Sequence, residues 1–334
     1  MKKSSSILLL ATERSGTNLV RAILSTHSKI SSPPPFSMVD LLASDHYKYI
    51  NPFQSYHLDE LIQDVIELSR SHLHAWDVNI DIDDIKRRLG DISFWEVFRV
   101  MNEIYADSES KNIWMSKEPG LFKHIYEIAL QFPDAKFIYL VRDPRDVVSS
   151  MLKGGLHENH AFYAASRWKH EQGLSLNALS TPSLKNRIFF LRYEDLIGDS
   201  KVVVKNLMQF LDLNFEIQQL EFYNNEAVKK HSSKSEFWQN LAKPIDSGNK
   251  ANYLRYLTEK QVSLIESIVW DEMKILGYCP TISKRKNINV MQRIIFKLIS
   301  NIKKRTPKIN SSDELQRHKR RIESFKRIRN RTFN

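Results

Sequence analysis

The strongest constraint on the fold is a short apolar segment that runs directly into a small-residue turn and then into a helical pattern. Ser6–Ala11 (SILLLA) is rich in Leu and Ile and bounded by polar residues. This pattern is typical of a parallel strand that is buried on both faces. The turn Thr12–Gly16 follows, and Thr17–His27 then carries apolar side chains at helical spacing. A strand, a turn and a helix in this order are the start of an α/β sheet.

A second segment of the same kind lies near the middle of the chain. Lys136–Val141 (KFIYLV) is again a buried-strand pattern, and Pro144 after it suits the first turn of a helix, where a missing N–H costs nothing. Further strands are predicted at Ile113–Met115 and Ile188–Leu191, with helical patterns between them. Strands alternating with helices predict a three-layer α/β fold, a parallel sheet with helices on both faces.

The intervals between these strands are mainly helical. Pro33–Pro35 force an extended segment, and the region of about 36–110 then predicts a helical insertion. Within it, Ser93–Glu96 is a capping-box pattern that opens a helix. Further along, Thr258–Leu276 predicts one amphipathic helix, closed by Gly277 at its C′ position.

Positive charge is concentrated at one end of the chain. The net charge is +11, but residues 281–334 alone carry +14, which leaves residues 1–280 at −3. We therefore divide the chain into a globular body, 1–280, and a basic amphipathic helical tail, 281–334. The tail has one apolar helical face within Ile288–Ile302 and a second Arg/Lys-rich helical stretch at Arg317–Arg331.

The tail allows three interpretations. Its helices can pack on the body with a solvated charged end, or they can lie on an anionic membrane surface. Contact with nucleic acid is less favoured, because aromatic side chains are sparse in this segment.

Composition limits the compartment and the chemistry. A single cysteine, Cys279, excludes a disulfide framework and a cysteine-based zinc site, and no H-E-x-x-H spacing occurs, so we expect no metal. No apolar stretch reaches the length of a membrane span, and the short run near the start is followed at once by Glu13 and Arg14, unlike a signal peptide. We expect a cytoplasmic protein, with peripheral membrane contact through the tail as the alternative.

The turn after the first strand predicts an anion site. The N–H groups of such a turn and the dipole of the following helix both point at a ligand, and Gly16 allows a phosphate to approach the backbone closely. The turn lacks the Walker A pattern, and a surface turn that contains an arginine would look the same. Its candidate ligand-binding residues are Arg14, Ser15, Gly16, Thr17 and Asn18.

A second anion site is predicted after Lys136–Val141. Arg142 lies at the end of that strand, and Ser150 lies two turns into the following helix, so both can close on one phosphate. Ligands bind at the carboxyl ends of the strands in such sheets. Two strand–turn–helix units, each with an arginine at the strand end, suggest one ligand that carries two separate phosphate groups.

Four segments, in order, resemble the sulfotransferase family that uses PAPS (3′-phosphoadenosine 5′-phosphosulfate), with the tyrosylprotein and carbohydrate branch the most similar. RSGTNLVRAIL resembles the family's 5′-phosphosulfate loop, and FIYLVRDPRDVVSSML resembles its 3′-phosphate motif. RYEDL resembles the segment whose tyrosine lies near the adenine, and NKANYLRYLTEKQ resembles the segment that covers the nucleotide. The resemblance spans roughly residues 6–278.

The resemblance implies roles for individual residues. Arg14 would be the cation against the bridging and sulfuryl oxygens, and Lys117, in a Lys-x-Pro segment, would be the second. Arg142 and Ser150 would bind the 3′-phosphate of the co-substrate PAPS. The remaining candidates for nucleotide contact are Tyr193, Tyr253, which stands where the family often has Trp, Lys250 and Arg255.

The general base is less clear. The acceptor hydroxyl or amine must lose a proton, usually to a carboxylate or imidazole. Where the tyrosylprotein branch has a Glu after the first helix, this chain has Ser31–Pro35. We therefore select Asp40 as the base, with His46 or a residue elsewhere in the chain as the alternatives. The acceptor stays open between a glycan, a lipid-linked sugar and a peptide tyrosine.

Two other functions remain as alternatives. A P-loop kinase would need the missing Walker A lysine and an acid for Mg²⁺. A non-catalytic membrane- or nucleic-acid-binding protein on a degenerate nucleotide fold would be consistent with Pro33–Pro35 where an acid is expected.

Overall fold

The computed structural model describes residues 5–50, 57–72, 74–154, 159–233, 238–302 and 312–331. The strands are β1 (Ser5–Ala11), β2 (Ile30–Ser31), β3 (Ile113–Ser116), β4 (Lys136–Val141) and β5 (Ile188–Arg192). The helices are α1 (Thr17–Ser25), α2 (Leu58–Ser71), α3 (Ile82–Arg88), α4 (Phe94–Ser108), α5 (Ile125–Gln131), α6 (Pro144–Gly154), α7 (Ala161–Ser180), α8 (Pro182–Lys185), α9 (Tyr193–Gly198), α10 (Ser200–Phe210), α11 (Glu226–Ser232), α12 (Tyr253–Tyr256), α13 (Glu259–Ile268), α14 (Trp270–Ile275), α15 (Val290–Ile302) and α16 (Ser312–Arg329).

The five strands form one parallel sheet in the order β2-β3-β1-β4-β5. β1 lies at the centre because its side chains are apolar on both faces. Leu8 and Leu10 pack into one hydrophobic core, and Ile7 and Leu9 pack into the core on the other face. Helices cover both faces, so the predicted three-layer α/β fold is confirmed.

The strand register brings three chain segments to one edge of the sheet. Ala11 pairs with Leu140 across β1 and β4, and Val141 pairs with Arg192 across β4 and β5. The turn after β1, the start of α6 and the start of α9 therefore lie side by side at the carboxyl ends of the strands. This is the edge at which parallel sheets bind ligands.

The helical insertion is confirmed over α2, α3 and α4, and Ser93 opens α4 as its pattern predicts. The Ser93 side chain accepts a hydrogen bond from the Glu96 amide at 3.2 Å. The Glu96 carboxylate binds Arg99 at 2.7 Å and the Gly90 amide at 2.8 Å, which ties the start of α4 to the segment before it.

Two other predicted elements differ from the structure. The single helix expected over Thr258–Leu276 is two helices, α13 and α14, that meet at Val269, which is not helical. Gly277 follows with φ of 78°, as expected for a C′ glycine. The two-residue strand β2, which pairs with β3, was not predicted because two residues are too few to show a periodic pattern.

The two C-terminal helices have different surroundings. The apolar face of α15 is exposed: Val290, Met291, Ile294, Ile295 and Leu298 are 45–72% exposed. In contrast, α16 packs against α2, and Ile328 is only 3% exposed and belongs to the hydrophobic core of one sheet face. The second half of the predicted basic tail is thus part of the packed body. The Lys303–Arg305 run and Pro307 lie outside the described residues.

Over the described ranges, the model has no helix that is both long enough and apolar enough to cross a membrane. Contact of the tail with a membrane surface stays a prediction.

A buried carboxylate anchors α16. Asp64 on α2 is fully buried and accepts hydrogen bonds from the Tyr49 hydroxyl at 2.7 Å and from Arg327 Nε at 3.1 Å. Arg331 Nη2 lies 2.6 Å from Asp64 Oδ2, the oxygen that also accepts from Tyr49. Hydrogen bonds to a buried charge are among the stronger ones in proteins.

We expect Asp64→Asn to lower the free energy of unfolding by about 2 kcal/mol, because the charge-assisted bonds to α16 are lost. Exchange of the α16 amides with deuterium should accelerate. The matched control is Asp59→Asn on the same helix, which breaks an exposed ion pair with Lys86 and should leave stability almost unchanged. If both variants had the same free energy of unfolding and the same exchange rates of the α16 amides, Asp64 would not be the residue that anchors α16.

Candidate active site

The turn between β1 and α1 has the backbone of an anion site. Arg14 and Gly16 have φ of 72° and 97°, and α1 begins without a side-chain cap, which leaves its first amides available to a ligand. The hydroxyl oxygen of Ser15 is buried and has no hydrogen-bond partner in the structure. A buried polar atom of this kind indicates a missing ligand or water.

Tyr193, the first residue of α9, closes this turn from the side. A Cβ at Gly16 would lie 2.4 Å from Tyr193 Cδ2, so the ring rests directly on the Gly16 backbone. The guanidinium of Arg142 lies over the same ring at 4.2 Å, and Asn249 Nδ2 donates to the Tyr193 hydroxyl at 2.9 Å. The predicted site residues Gly16, Arg142 and Tyr193 are therefore in one cluster.

Arg14 and Ser150 connect the two predicted anion sites. Arg14 Nε donates to Ser150 Oγ at 3.0 Å, although 136 residues separate them in the chain. Arg142 Nη2 donates to the Asn249 carbonyl at 3.2 Å, while its Nε is buried without a partner. The edge where β1 and β4 end therefore brings together Arg14 from the first strand–turn–helix unit and Arg142 and Ser150 from the second.

The segment around Tyr253 is held against α6. The Tyr253 amide donates to Asp146 Oδ1 at 2.8 Å, and the Arg145 guanidinium lies 4.5 Å from the centre of the Tyr253 ring. One face of this ring is therefore already covered. The other two candidates of this segment, Lys250 and Arg255, are exposed.

Residues that the sequence analysis did not single out hold this segment in place. Arg145 pairs with Asp143 at 2.6 Å and with the fully buried Glu266 of α13 at 2.8 Å. Glu194 accepts from the Asp143 amide at 3.0 Å and from the Tyr278 hydroxyl at 2.7 Å. The charged residues of the Arg142–Asp146 motif indicate that ion-pair partners exist. Those partners could not be identified from the sequence because they are distant along the chain.

Lys117, directly after β3, reaches the first turn of α1. Its Nζ donates to Asn18 Oδ1 at 3.1 Å. Burial lowers the pKa of the Lys117 ammonium to about 8; Glu13 opposes this shift, and Arg21 adds to it. The predicted second cation therefore lies at the same turn as Arg14, and it titrates close to neutral pH.

Asp40 and Glu118 differ in their surroundings. Asp40 is exposed and forms an ion pair with Lys123 at 2.7 Å. Glu118 is buried and accepts from the Phe36 amide at 2.7 Å, and burial raises the pKa of its carboxyl to about 7 against the opposing effect of that hydrogen bond. The alternative base His46 contacts the Ala43 carbonyl at 2.7 Å.

A narrow cavity of about 10 Å³ lies beside Lys117 and Glu118, room for about one water molecule. Pro33–Pro35 line the same cavity. The proline segment therefore lies close to Lys117 and to the acid Glu118. Sequence reasoning missed Glu118, although it adjoins the motif lysine.

The fold and these contacts define an α/β protein in which arginine and hydroxyl side chains meet at the carboxyl ends of two neighbouring strands. The chain matches the model of the sulfotransferase family over residues 6–217, which is more than half of its length. It belongs to this family. The matched range includes Arg14, Lys117 and Arg142 but not Tyr253.

Individual relatives are distant. An uncharacterized protein of Aquifex aeolicus is 26% identical over 234 residues, which is 68% of this chain but only 28% of that protein's length. The sulfotransferase domain of the Synechococcus PCC 7002 olefin synthase has a TM-score of 0.54 at 19% identity, over 80% of this chain and 95% of that domain. The sulfotransferase domain from the curacin biosynthetic pathway has a TM-score of 0.47 at 21% identity, over 90% and 98% of the two chains.

We expect Gly16→Ala to destabilise the protein by about 1–3 kcal/mol, because a Cβ there would clash with Tyr193 and the backbone conformation is left-handed. The control is Gly173→Ala within α7, where a Cβ meets no atom within 4 Å. That substitution should raise stability by about 0.5–1 kcal/mol. Urea denaturation measures both, and an unchanged midpoint for Gly16→Ala would show that the turn is not as tightly packed as described.

Proposed function

We propose that the protein transfers a sulfuryl group from PAPS to a hydroxyl or amine of an acceptor. The observation that carries this proposal is the contact between Arg14 and Ser150, which joins two anion-binding units at one sheet edge. PAPS carries a 5′-phosphosulfate and a separate 3′-phosphate, so it needs two such units. Membership of the sulfotransferase family supports the same reaction.

The unpartnered groups of the site fit this nucleotide. The buried Ser15 hydroxyl and the turn amides would bind the 5′-phosphosulfate, with Thr17 and Asn18 beside them. Arg142, whose Nε is buried without a partner, and Ser150 would bind the 3′-phosphate. Tyr193 would lie near the adenine, and Lys250 and Tyr253 belong to the segment proposed to cover the nucleotide.

Catalysis would depend mainly on charge stabilisation at the reacting sulfur. As the acceptor oxygen or nitrogen bonds to sulfur, the bond from sulfur to the bridging phosphate oxygen breaks and charge develops on that oxygen. Arg14 and Lys117 supply positive charge there without rearrangement, which is the most effective form of electrostatic catalysis. No metal ion enters this scheme.

The acceptor's proton needs a base close to Lys117. Asp40 was predicted for this role, but its carboxylate is exposed and paired with Lys123. Glu118 adjoins Lys117 and has a pKa of about 7, which suits a general base near neutral pH. We therefore favour Glu118 over Asp40 for the proton transfer.

Two earlier alternatives make different predictions. A kinase would turn over ATP with Mg²⁺, and a non-catalytic nucleotide-fold protein would bind the nucleotide without transfer to any acceptor.

We expect PAP, the desulfonated product, to bind more tightly than AMP, because AMP lacks the 3′-phosphate. Arg142→Ala should weaken the binding of PAP by about 30-fold or more, which is near 2 kcal/mol for a charge-assisted contact. The affinity for AMP should be almost unchanged. Isothermal titration calorimetry measures all four affinities. The control is Arg87→Ala, an arginine with 73% exposure. If PAP and AMP bind equally well, the 3′-phosphate site is not where we place it.

We expect the rate of PAPS hydrolysis, sulfuryl transfer to water, to fall as pH rises through about 8. Lys117 is charged below its pKa of about 8 and neutral above it, so the stabilising cation disappears on the alkaline side. Since kcat/KM reports the free enzyme, its pH profile should show this limb. Lys117→Arg should move the limb beyond pH 10, because a guanidinium stays charged. A profile that is flat to pH 9.5 in the wild type would exclude this role.

A further inference from the structure

Beyond the nucleotide groups, Lys117 belongs to a second set of positively charged and aromatic side chains. We call it the cationic cluster; its members are Arg21, His72, His74, Lys117, Trp238 and Arg321. Three of its contacts are between rings or between a ring and a guanidinium. Arg21 lies 4.9 Å from the Trp238 ring, Trp238 stacks on His74 at 3.8 Å, and His74 is 5.8 Å from His72.

The segment from Ser32 to Ser37 connects the other members. Its Ser32 carbonyl accepts from Arg21, and its Phe36 carbonyl accepts from Arg321. The Phe36 amide donates to Glu118, the residue after Lys117. The members come from α1, the segment after α2, the end of β3, the segment after α11 and α16, so the cluster is assembled by the tertiary fold. Arg321 is the contribution of the C-terminal helix, the element that the sequence presents as part of a tail.

The cluster contains buried donors without acceptors. Arg21 is 3% exposed, and although its Nη1 donates to the Ser32 carbonyl at 3.0 Å, its Nε and Nη2 are buried without partners. Arg321 Nη2 donates to the Phe36 carbonyl at 3.1 Å and to Ser37 Oγ at 3.2 Å, but its Nη1 is also buried and unpartnered. Unsatisfied donors on charged groups are costly, and an anion would satisfy them.

Two of the three acids near the cluster are committed elsewhere. The third, Glu118, accepts from the Phe36 amide through Oε1, while its Oε2 is buried without a partner. Burial raises the pKa of Glu118 to about 7, so its carboxylate is only partly charged at neutral pH. Glu109, near Arg21, accepts from the Ser31 hydroxyl at 2.7 Å, and Glu13, near Lys117, pairs with Arg167 at 2.8 Å. Positive charge is therefore in excess at this point.

The pKa of His72 reports this excess. Burial lowers it well below the usual range, and Arg321 is the next largest cause, followed by His74 and Lys117. A bound anion would oppose each of these charges. His72, Lys117 and Arg321 are half-buried, whereas Arg21 and His74 are buried.

We propose that the cationic cluster binds an anionic group of the acceptor, a phosphate, sulfate or carboxylate, and that Arg321 of α16 selects for it. This inference rests on the proposed function, since Lys117 serves both the transferred sulfuryl group and the cluster. It narrows the acceptor to a molecule that carries a hydroxyl or amine together with a negative charge.

The test titrates inorganic phosphate and sulfate onto the full-length protein saturated with PAP. The His72 Cε1–H resonance, assigned with His72→Gln, reports binding at the cluster. We expect both anions to shift this resonance and to raise the pKa of His72. Arg321→Gln should lower the affinity for either anion at least tenfold, and Arg321→Lys should restore part of that affinity.

The matched control is Arg320→Gln, an exposed arginine one position earlier on α16. It should bind both anions as the wild type does, and equal melting temperatures for the two glutamine variants would exclude a folding defect. Equal affinities in Arg320→Gln and Arg321→Gln, or no shift of His72 with either anion, would overturn the proposal.

A second arm separates the acceptor's anion from the donor's own sulfuryl group. The titration is repeated with 3′-phosphoadenosine 5′-diphosphate, whose terminal phosphate fills the position of the sulfuryl group. If the cluster serves the acceptor, phosphate still binds; if it serves the donor, this nucleotide abolishes phosphate binding and the proposal fails. Failure of PAP itself to bind would instead refute the proposed function, so the two failures are distinguishable.

Discussion

The hydrogen bond of 3.0 Å from Arg14 to Ser150 joins the two halves of the site, and much of the structure serves to make it possible. Arg14 follows β1 and Ser150 lies in α6 after β4, so the two meet only because these strands are neighbours with ends in register. That pairing depends in turn on a central strand that is apolar on both faces. The burial of Ile7–Leu10 between two helical layers thus brings together two side chains that are 136 residues apart and that we propose to bind phosphate.

Tyr193 extends this arrangement to the third strand end. Its ring lies on Gly16, under Arg142 and within hydrogen-bond distance of Asn249, so the β1 turn, the β4 end and the C-terminal segment share one aromatic surface. The ion pairs of Arg145 with Asp143 and Glu266 then hold that C-terminal segment against α6. Contacts within the protein itself thus fix the relative positions of these side chains, as electrostatic preorganisation requires.

Local sequence patterns predicted most of the strands and the first turn. The apolar runs predicted β1, β4 and β5, and the small residues after β1 predicted the turn that leads into α1, because strand burial and turn chemistry are recorded in adjacent residues. The break at Val269 was missed, since the apolar periodicity continues across it. Asp40 was chosen as the base by its position in the chain, but Glu118 is the acid that packs beside Lys117.

The cationic cluster could not be predicted in the same way. Arg21 and Arg321 are 300 residues apart, and each looks like an ordinary helical arginine in sequence. Only the packing of α16 on α2, anchored by Asp64, brings Arg321 toward Glu118 and His72. A basic C-terminal stretch that composition describes as a tail is, in its second helix, part of the packed body.

The most direct test of the central claim is hydrogen–deuterium exchange of the protein with PAP, with AMP and without nucleotide. If the ends of β1 and β4 bind one nucleotide through two phosphates, PAP will slow exchange both at the turn around Gly16 and at the start of α6. AMP will protect mainly the turn. Equal protection by PAP and AMP, or protection of neither segment, would contradict the two-phosphate site and with it the sulfotransferase mechanism proposed for this chain.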